Sequence, residues 1–329
     1  MASALVIGGT RFIGRHAVES LLDAGYDVTT FNRGEHADPF ADDDRVGRVA
    51  GDRTNDSALE AAAERVEPDV VLDLVAYHPR DVRAATTIFA GVDAYVYVSS
   101  GAAYGEEVVP KREDETPLAP CTPEQATDDS MASYGARKAE GDRAVFAAAA
   151  EGVNAMSVRP PVVYGPHDYT ERLDYWLDRV ARYDRIIVPG DGQHLWHRAY
   201  VADVADALRV VAERGEAGEA YNAGDRRLLT LAETVELAAD VMGRDVAVVP
   251  AGPRELAAGG LEPSDFVLYR DHPHVMSTAK LAGLDFEWTA VEAAMARTVE
   301  AHHASDRDGA EHDPGREAEE RVLGVLDTL

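Results

Sequence analysis

The sequence predicts an α/β chain, a doubly wound parallel sheet with a smaller C-terminal substrate lobe. Three observations predict it. Short apolar runs alternate with helix-period segments through the first half, the pattern of a parallel sheet covered on both faces. The first apolar run passes at once into a glycine turn, Gly8-Gly9-Thr10-Arg11-Phe12-Ile13-Gly14. From about Thr170 the pattern loosens, with punctuation at Pro189-Gly190-Asp191-Gly192 and Ala251-Gly252-Pro253, as an appended lobe would show.

In order, the spacing predicts strands at Ala4–Ile7, Asp27–Phe31, Val46–Val49, Val70–Leu74, Ala94–Val98 and Ala155–Val158, with a later one near Glu219–Asn222. Helices fall between them at Ile13–Leu22, Ser57–Arg65, Arg80–Phe89 and Tyr134–Ala150, the first closed by Gly25. Ala202–Gly215 reads as a helix returning to the main domain. The charged stretch Ser305–Glu320 reads as a mobile segment or a solvated final helix.

Charge narrows the function classes. The 329 residues hold 60 Asp and Glu against 32 Lys and Arg, a formal net charge of −28, and lysine occurs only at Lys111, Lys138 and Lys280. Such a surface repels itself in dilute buffer and needs counter-ions. The composition suits a salt-saturated, halophilic-type cytoplasm, with mere solubilisation as the alternative. It argues against nucleic acid, whose binding needs basic residues, and against anionic membranes. Cys121 stands alone, so no intrachain disulfide or cysteine metal cluster is available. His194-x-x-His197, His272-x-His274 and His302-His303 lack a supporting carboxylate pattern, so no metal site is expected. No run reaches the ~18 apolar residues that span a bilayer. The N-terminus enters a strand without a basic segment, so no signal peptide and a cytoplasmic location are expected.

The glycine turn follows a strand and opens a helix, the arrangement that a dinucleotide pyrophosphate needs. Gly8 permits the turn, Gly9 is expected to keep side chains off the phosphates, and Gly14 lets helix and strand approach. The helix N-terminus offers N–H groups to the anion. This gives a Rossmann dinucleotide-binding domain over 1–169 with returning segments near 195–224, a substrate lobe over 170–300 and an acidic tail over 301–329. Residues Gly8 to Gly14, including Thr10, Arg11, Phe12 and Ile13, are the expected pyrophosphate contacts. The second strand ends Phe31-Asn32-Arg33, without the Asp or Glu that would hold the ribose hydroxyls of NAD. Arg11 and Arg33 with no carboxylate favour NADP over NAD as cofactor.

Tyr134-Gly-Ala-Arg-Lys138 puts a phenol and an ammonium on one helix face, one turn apart. A phenol of pKa near 10 is a poor base, and lowering it to ~7 takes roughly 4 kcal/mol. An ammonium about 4 Å away at an effective dielectric of ~20 supplies about that much.

Together with Val96-Tyr97-Val98-Ser99-Ser100-Gly101-Ala102-Ala103-Tyr104-Gly105, these motifs resemble the extended short-chain dehydrogenase/reductases, the NAD-dependent epimerase/dehydratase family. The glycine turn is most similar to the group that includes chloroplast stem-loop-binding proteins. It departs from the family fingerprint at Ile7 and Arg11. The resemblance runs on through Arg112–Pro117, Arg159–Pro166, Gly190–Gly192, Tyr200–Val204 and Tyr221–Gly224. It implies that Ser100, Tyr134 and Lys138 are catalytic, with Lys138 also gripping the nicotinamide ribose. It implies further that Asp52 and Arg53 lie near adenine and that Ala76 lines the cofactor.

Gly101 and Ala102 stand where the family's sugar dehydratases carry Asp-Glu, which argues against dehydration. Val162 replaces an epimerase Asn, and Trp196 takes the place of a diphosphate-clamping Arg, for which Arg198 is near enough to substitute. His167 and His194 are further candidates to line the substrate cleft. The resemblance implies an NAD(P)-dependent epimerase or reductase acting on a secondary alcohol or ketone of a small molecule, a sugar or nucleotide sugar among the candidates, as a homodimer. The alternative is a dinucleotide-binding regulatory or RNA-associated protein with vestigial catalytic residues.

Overall fold

The computed structural model describes residues 2–328. Strand β1 (Ser3–Ile7) leads into α1 (Phe12–Asp23), then β2 (Asp27–Asn32), β3 (Val46–Ala50), α2 (Asp56–Val66), β4 (Val70–Asp73), α3 (Pro79–Ile88) and β5 (Ala94–Val98). Next come α4 (Tyr134–Ala150), β6 (Ala155–Arg159), β7 (Val162–Tyr164), α5 (Arg172–Arg182), β8 (Arg185–Pro189) and β9 (Arg198–Tyr200). The rest is α6 (Val201–Arg214), β10 (Ala220–Asn222), α7 (Leu231–Met242), β11 (Ala247–Ala251), α8 (Pro253–Leu256), α9 (Ala279–Ala282), α10 (Val291–His303) and α11 (Arg316–Leu326).

Seven strands form one parallel sheet in the order β3-β2-β1-β4-β5-β6-β10. This is the Rossmann-type α/β fold. Alternate residues explain its double cover. Ala4, Val6, Leu72 and Val96 pack on α1 and α6 through Val18, Leu21, Leu208 and Val211. Leu5, Ile7, Val71 and Tyr95 face α2, α3 and α4 through Leu59, Val82, Ala85 and Val145. Only the edge strand β3 is largely exposed. The chain leaves β3 at that edge and returns at β4 on the far side of β1. The crevice beyond the C-terminal ends of β1 and β4 is therefore the topological switch point.

Two compact units emerge. The first holds the residues up to Val163, with Val201–Gly224 and Met276–Trp288; the second holds Tyr164–Tyr200, Asp225–Val275 and the chain from Thr289 on. The first boundary thus falls at Val163, beside the 169 read from the sequence. The return of Met276–Trp288 has no counterpart in that reading. It is tied down by packing and backbone polarity: Leu281 and Phe286 enter the sheet's core, the Trp288 indole donates to the Gly224 carbonyl (2.9 Å), and Asn222 Nδ2 donates to the Ser277 carbonyl (3.0 Å).

In the second unit β8 and β11 pair in parallel. Trp176 on α5 is fully buried, edge-on to Tyr175 and stacked on Phe266. The charged tail is not solvated along its whole length. Val322 of α11 is buried, and the buried Glu319 accepts hydrogen bonds from Tyr175 Oη (3.1 Å) and Arg179 Nη2 (3.0 Å). Arg179 also pairs with Asp313. Among the described residues no helix is long and apolar enough to cross a membrane.

Candidate functional site

The glycine turn joins β1 to α1 beside the switch point. Gly8 has φ of +94°, which side-chain-bearing residues rarely adopt. A Cβ on Gly14 would lie 2.0 Å from the Gly8 carbonyl oxygen, so helix and strand touch backbone to backbone. Gly9 has a packing reason besides the clearance expected of it. Its Cβ would meet Thr30 Cγ2 at 2.8 Å and Val18 Cγ2 at 3.0 Å, so internal packing by itself demands glycine there. Helix α1 has no side-chain cap hydrogen bond and no acid in its first turn, which suits an anion. Phe12 is buried at that terminus, Ile13 packs on the core, and Thr10 and Arg11 are the more open positions of the turn.

After β2, Asn32 Oδ1 accepts from the Gly34 amide (2.9 Å), which shapes the turn. Arg11 Nη1 lies 3.2 Å from His36 Nε2, and Arg33 forms an exposed 2.8 Å ion pair with Glu35. A carboxylate thus does stand beside Arg33, on a neighbour that the motif did not single out. Asp52 accepts from the Thr54 amide (2.9 Å) and hydroxyl (2.8 Å), bonds that hold its carboxyl below the usual range. Arg53 is not open to a ligand: it is buried and paired with Asp73 and Asp81. Residue spacing carries no sign of that pairing, since its partners lie on β4 and α3.

The reactive candidates converge through close backbone approaches. A Cβ on Gly135 would sit 2.4 Å from the Ala102 carbonyl, so α4 abuts the short turn that follows Ser100. Ser100 Oγ accepts from the Ala102 amide (3.1 Å), which leaves its hydroxyl proton to donate elsewhere. Tyr134 is half-buried at the start of α4. Lys138, one turn on, is 2% exposed, and its Nζ donates to the carbonyls of Val98 (2.8 Å) and Ala76 (3.1 Å). Burial pushes its pKa down to about 8. The ammonium lies 5.9 Å from the centroid of the Tyr134 ring.

A buried relay ties these pieces together. Asp142 of α4 accepts from Arg159 Nε of β6 (2.8 Å), and Arg159 Nη1 donates to Tyr104 Oη (3.1 Å). Tyr104 closes the Ser100 loop and donates to Asn222 Oδ1 of β10 (2.7 Å). Asp142 stands four residues after Lys138, so one helix face carries both the ammonium and the anchor of the serine loop. Sequence spacing offered Asp142 but no partner for it.

The substrate candidates lie in the second unit. His167 is exposed with φ of +66°. The Arg270 guanidinium lies over the Trp196 ring at 5.5 Å, and the His194 ring meets Tyr269 edge-on at 4.6 Å. Arg198 is not an open surface cation. It is buried and donates to the carbonyls of Leu229 (2.7 Å) and Thr230 (3.3 Å) and to the Thr234 hydroxyl, beside a cavity of about 10 Å³ that is only water-sized. The adjacent His197 is buried, its Nε2 donating to the Asp225 carbonyl (2.8 Å), and burial pushes its pKa down to about 4, so it stays neutral.

The model of the NAD dependent epimerase/dehydratase family matches residues 4–224. The chain is 26% identical over 239 residues to chloroplast stem-loop binding protein of 41 kDa b of Arabidopsis thaliana, covering 69% of this chain and 59% of that one. It is 28% identical over 294 residues to a UDP-glucose 4-epimerase of Azospirillum brasilense, covering 78% and 83%. Low-salt glycan biosynthesis protein Agl12 of Haloferax volcanii is 27% identical over 266 residues, covering 73% and 82%. Among solved structures, dTDP-glucose 4,6-dehydratase from Bacillus anthracis in complex with NAD superposes with a TM-score of 0.73 at 21% identity, covering 95% and 100%.

Replacing Gly14 by Ala should destabilise the protein by about 1–3 kcal/mol, because the new methyl has only backbone to displace. Denaturant titration in molar potassium chloride measures it, and unchanged stability would contradict the contact described.

Proposed function

Taking as premise that this chain belongs to the NAD dependent epimerase/dehydratase family, we propose that it is an NAD(P)-dependent epimerase or reductase acting on a secondary alcohol or ketone. The observation that carries the reading is Lys138, buried against the main-chain carbonyls of Ala76 and Val98 one turn from Tyr134. The glycine turn and the uncapped α1 terminus fit a dinucleotide pyrophosphate, and Ala76 and Lys138 stand where a nicotinamide ribose would be held. Bound nicotinamide supplies or accepts the hydride. Ser100 donates a hydrogen bond to the substrate oxygen, and Tyr134 gives that oxygen a proton or takes one from it. Lys138 keeps a positive charge beside the phenol and lowers the cost of phenolate.

Gly101 and Ala102 place no acid or base after Ser100, which speaks against dehydration. A nucleotide-sugar substrate is supported by the epimerase relative, whereas Arg198, committed to carbonyls, gives it no support. The name of the chloroplast relative speaks of stem-loop binding, the second reading, but a net charge of −28 opposes phosphate binding. We further propose a cytoplasmic homodimer.

For the cofactor we favour NADP, on the lack of an acid at the end of β2 and on Arg11 and Arg33. Replacing Arg33 by Glu should weaken NADPH binding about tenfold while leaving NADH nearly unchanged, since a phosphate contact of this kind contributes roughly 1.4 kcal/mol. Equal effects on both, by calorimetry, would favour NAD.

Incubation with either reduced dinucleotide and a panel of ketones and nucleotide sugars separates the activities. Net cofactor oxidation marks a reductase, and product exchange without it marks an epimerase. Tyr134→Phe should lower kcat about 10²–10⁴-fold with cofactor affinity kept; full turnover in that variant would refute the role of Tyr134.

The pH profile follows from Lys138. Its folded-state pKa is depressed, so the ammonium is present below about 8 and is lost as pH rises through it. kcat/KM should therefore fall through that point, well before the ~10 of ordinary lysine. A flat profile up to pH ~10 would show that the charge is not used.

A further inference from the structure

Lys138 has an unusual set of neighbours for a buried cation. Among the described residues no carboxylate is in ion-pairing contact with it, and two of its donors are taken by the Ala76 and Val98 carbonyls. The remaining surroundings are aromatic. Its Nζ lies over the Tyr97 ring at 4.8 Å from the centroid and over the Tyr77 ring at 5.4 Å, besides Tyr134. Ring faces attract cations through their quadrupole, and most strongly where water is excluded.

Tyr97 is seated for this contact. It is a fully buried strand residue of β5, and a Cβ on Gly141 would lie 2.5 Å from its hydroxyl and 2.8 Å from Cζ. Glycine in a helix interior costs about 1 kcal/mol relative to alanine. Helix α4 accepts that cost at the one position where the tyrosine needs room.

We propose that the Tyr97 ring, seated by Gly141 and joined by Tyr77, stands in for a counter-ion beneath the Lys138 ammonium, which makes Tyr97 a positioning residue for the Tyr134–Lys138 pair. Only its kinetic consequence rests on the function proposed above. The other charged and titratable groups around the ammonium are Tyr134, Arg137 and Asp142 on α4, Asp73 at the end of β4 and Arg53 after β3. The carboxylates favour the charged form from a distance, the arginines oppose it, and neither kind touches it.

The test uses the chain's three lysines, which give three ε-carbon signals in isotope-labelled protein, with Lys138 assigned by Lys138→Arg. In Tyr97→Leu the Lys138 titration midpoint should fall by about one pH unit, the size of a desolvated cation–π contact. In Tyr97→Phe, which keeps the ring, it should stay in place. The alkaline limb of kcat/KM should follow the midpoint in both variants. An unmoved midpoint in Tyr97→Leu overturns the proposal, and so does an equal fall in Tyr97→Phe, which would assign the effect to the hydroxyl. Should Tyr97→Leu fail to fold, the half-exposed Tyr77 decides: Tyr77→Ala lowers the midpoint if the rings hold the charge and leaves it unmoved if they do not. The midpoint is read without substrate or cofactor, so its failure is distinct from failure of the enzymatic reading.

Discussion

The positive charge of Lys138 has to be kept in a dry place. It sits at the junction of β4, β5 and α4, where its Nζ donates to the main-chain oxygens of Val98, at the end of β5, and of Ala76, in the loop after β4. That arrangement fixes the rotation of α4, because the side chain must end at those two oxygens. Rotation of α4 in turn decides where Tyr134 stands, which residues meet the serine turn, and why small residues line the helix at Gly135 and Gly141. The order of events runs from backbone geometry to side-chain chemistry.

Much of this was legible in the residues. Strands with both faces buried are continuously apolar, so β1, β4, β5 and β6 announced themselves, and the parallel sheet followed. The glycine turn carried its own stereochemistry: Gly8 and Gly14 were read for the reasons that the coordinates display. Gly9 has a further reason that spacing does not show, since the side chains it makes room for, Thr30 and Val18, are adjacent only in space. The same blindness to non-local neighbours explains Arg53 and Arg198. Each looked like an exposed cation at a ligand position, and each is buried against groups tens of residues away.

The second unit was read poorly for a different reason. Its helices α5, α7 and α10 are amphipathic, but they are joined by irregular loops, and its two-stranded sheet is too short for alternation to stand out. The tail misled through composition. Acidic and arginine-rich stretches usually face water, whereas here Glu319 lies inside, opposite Arg179. A carboxylate in such a place signals a partner, and nothing in the chain order names it.

That last pairing bears on how the polypeptide is made. Arg179 is a buried cation whose two counter-charges, Asp313 and Glu319, are synthesised more than a hundred residues later. Until they emerge from the ribosome, α5 would have to bury an uncompensated guanidinium, which several kcal/mol of desolvation forbids. Burial of Arg179 in the second unit therefore awaits its final helix, as the core of the first unit awaits Leu281 and Phe286.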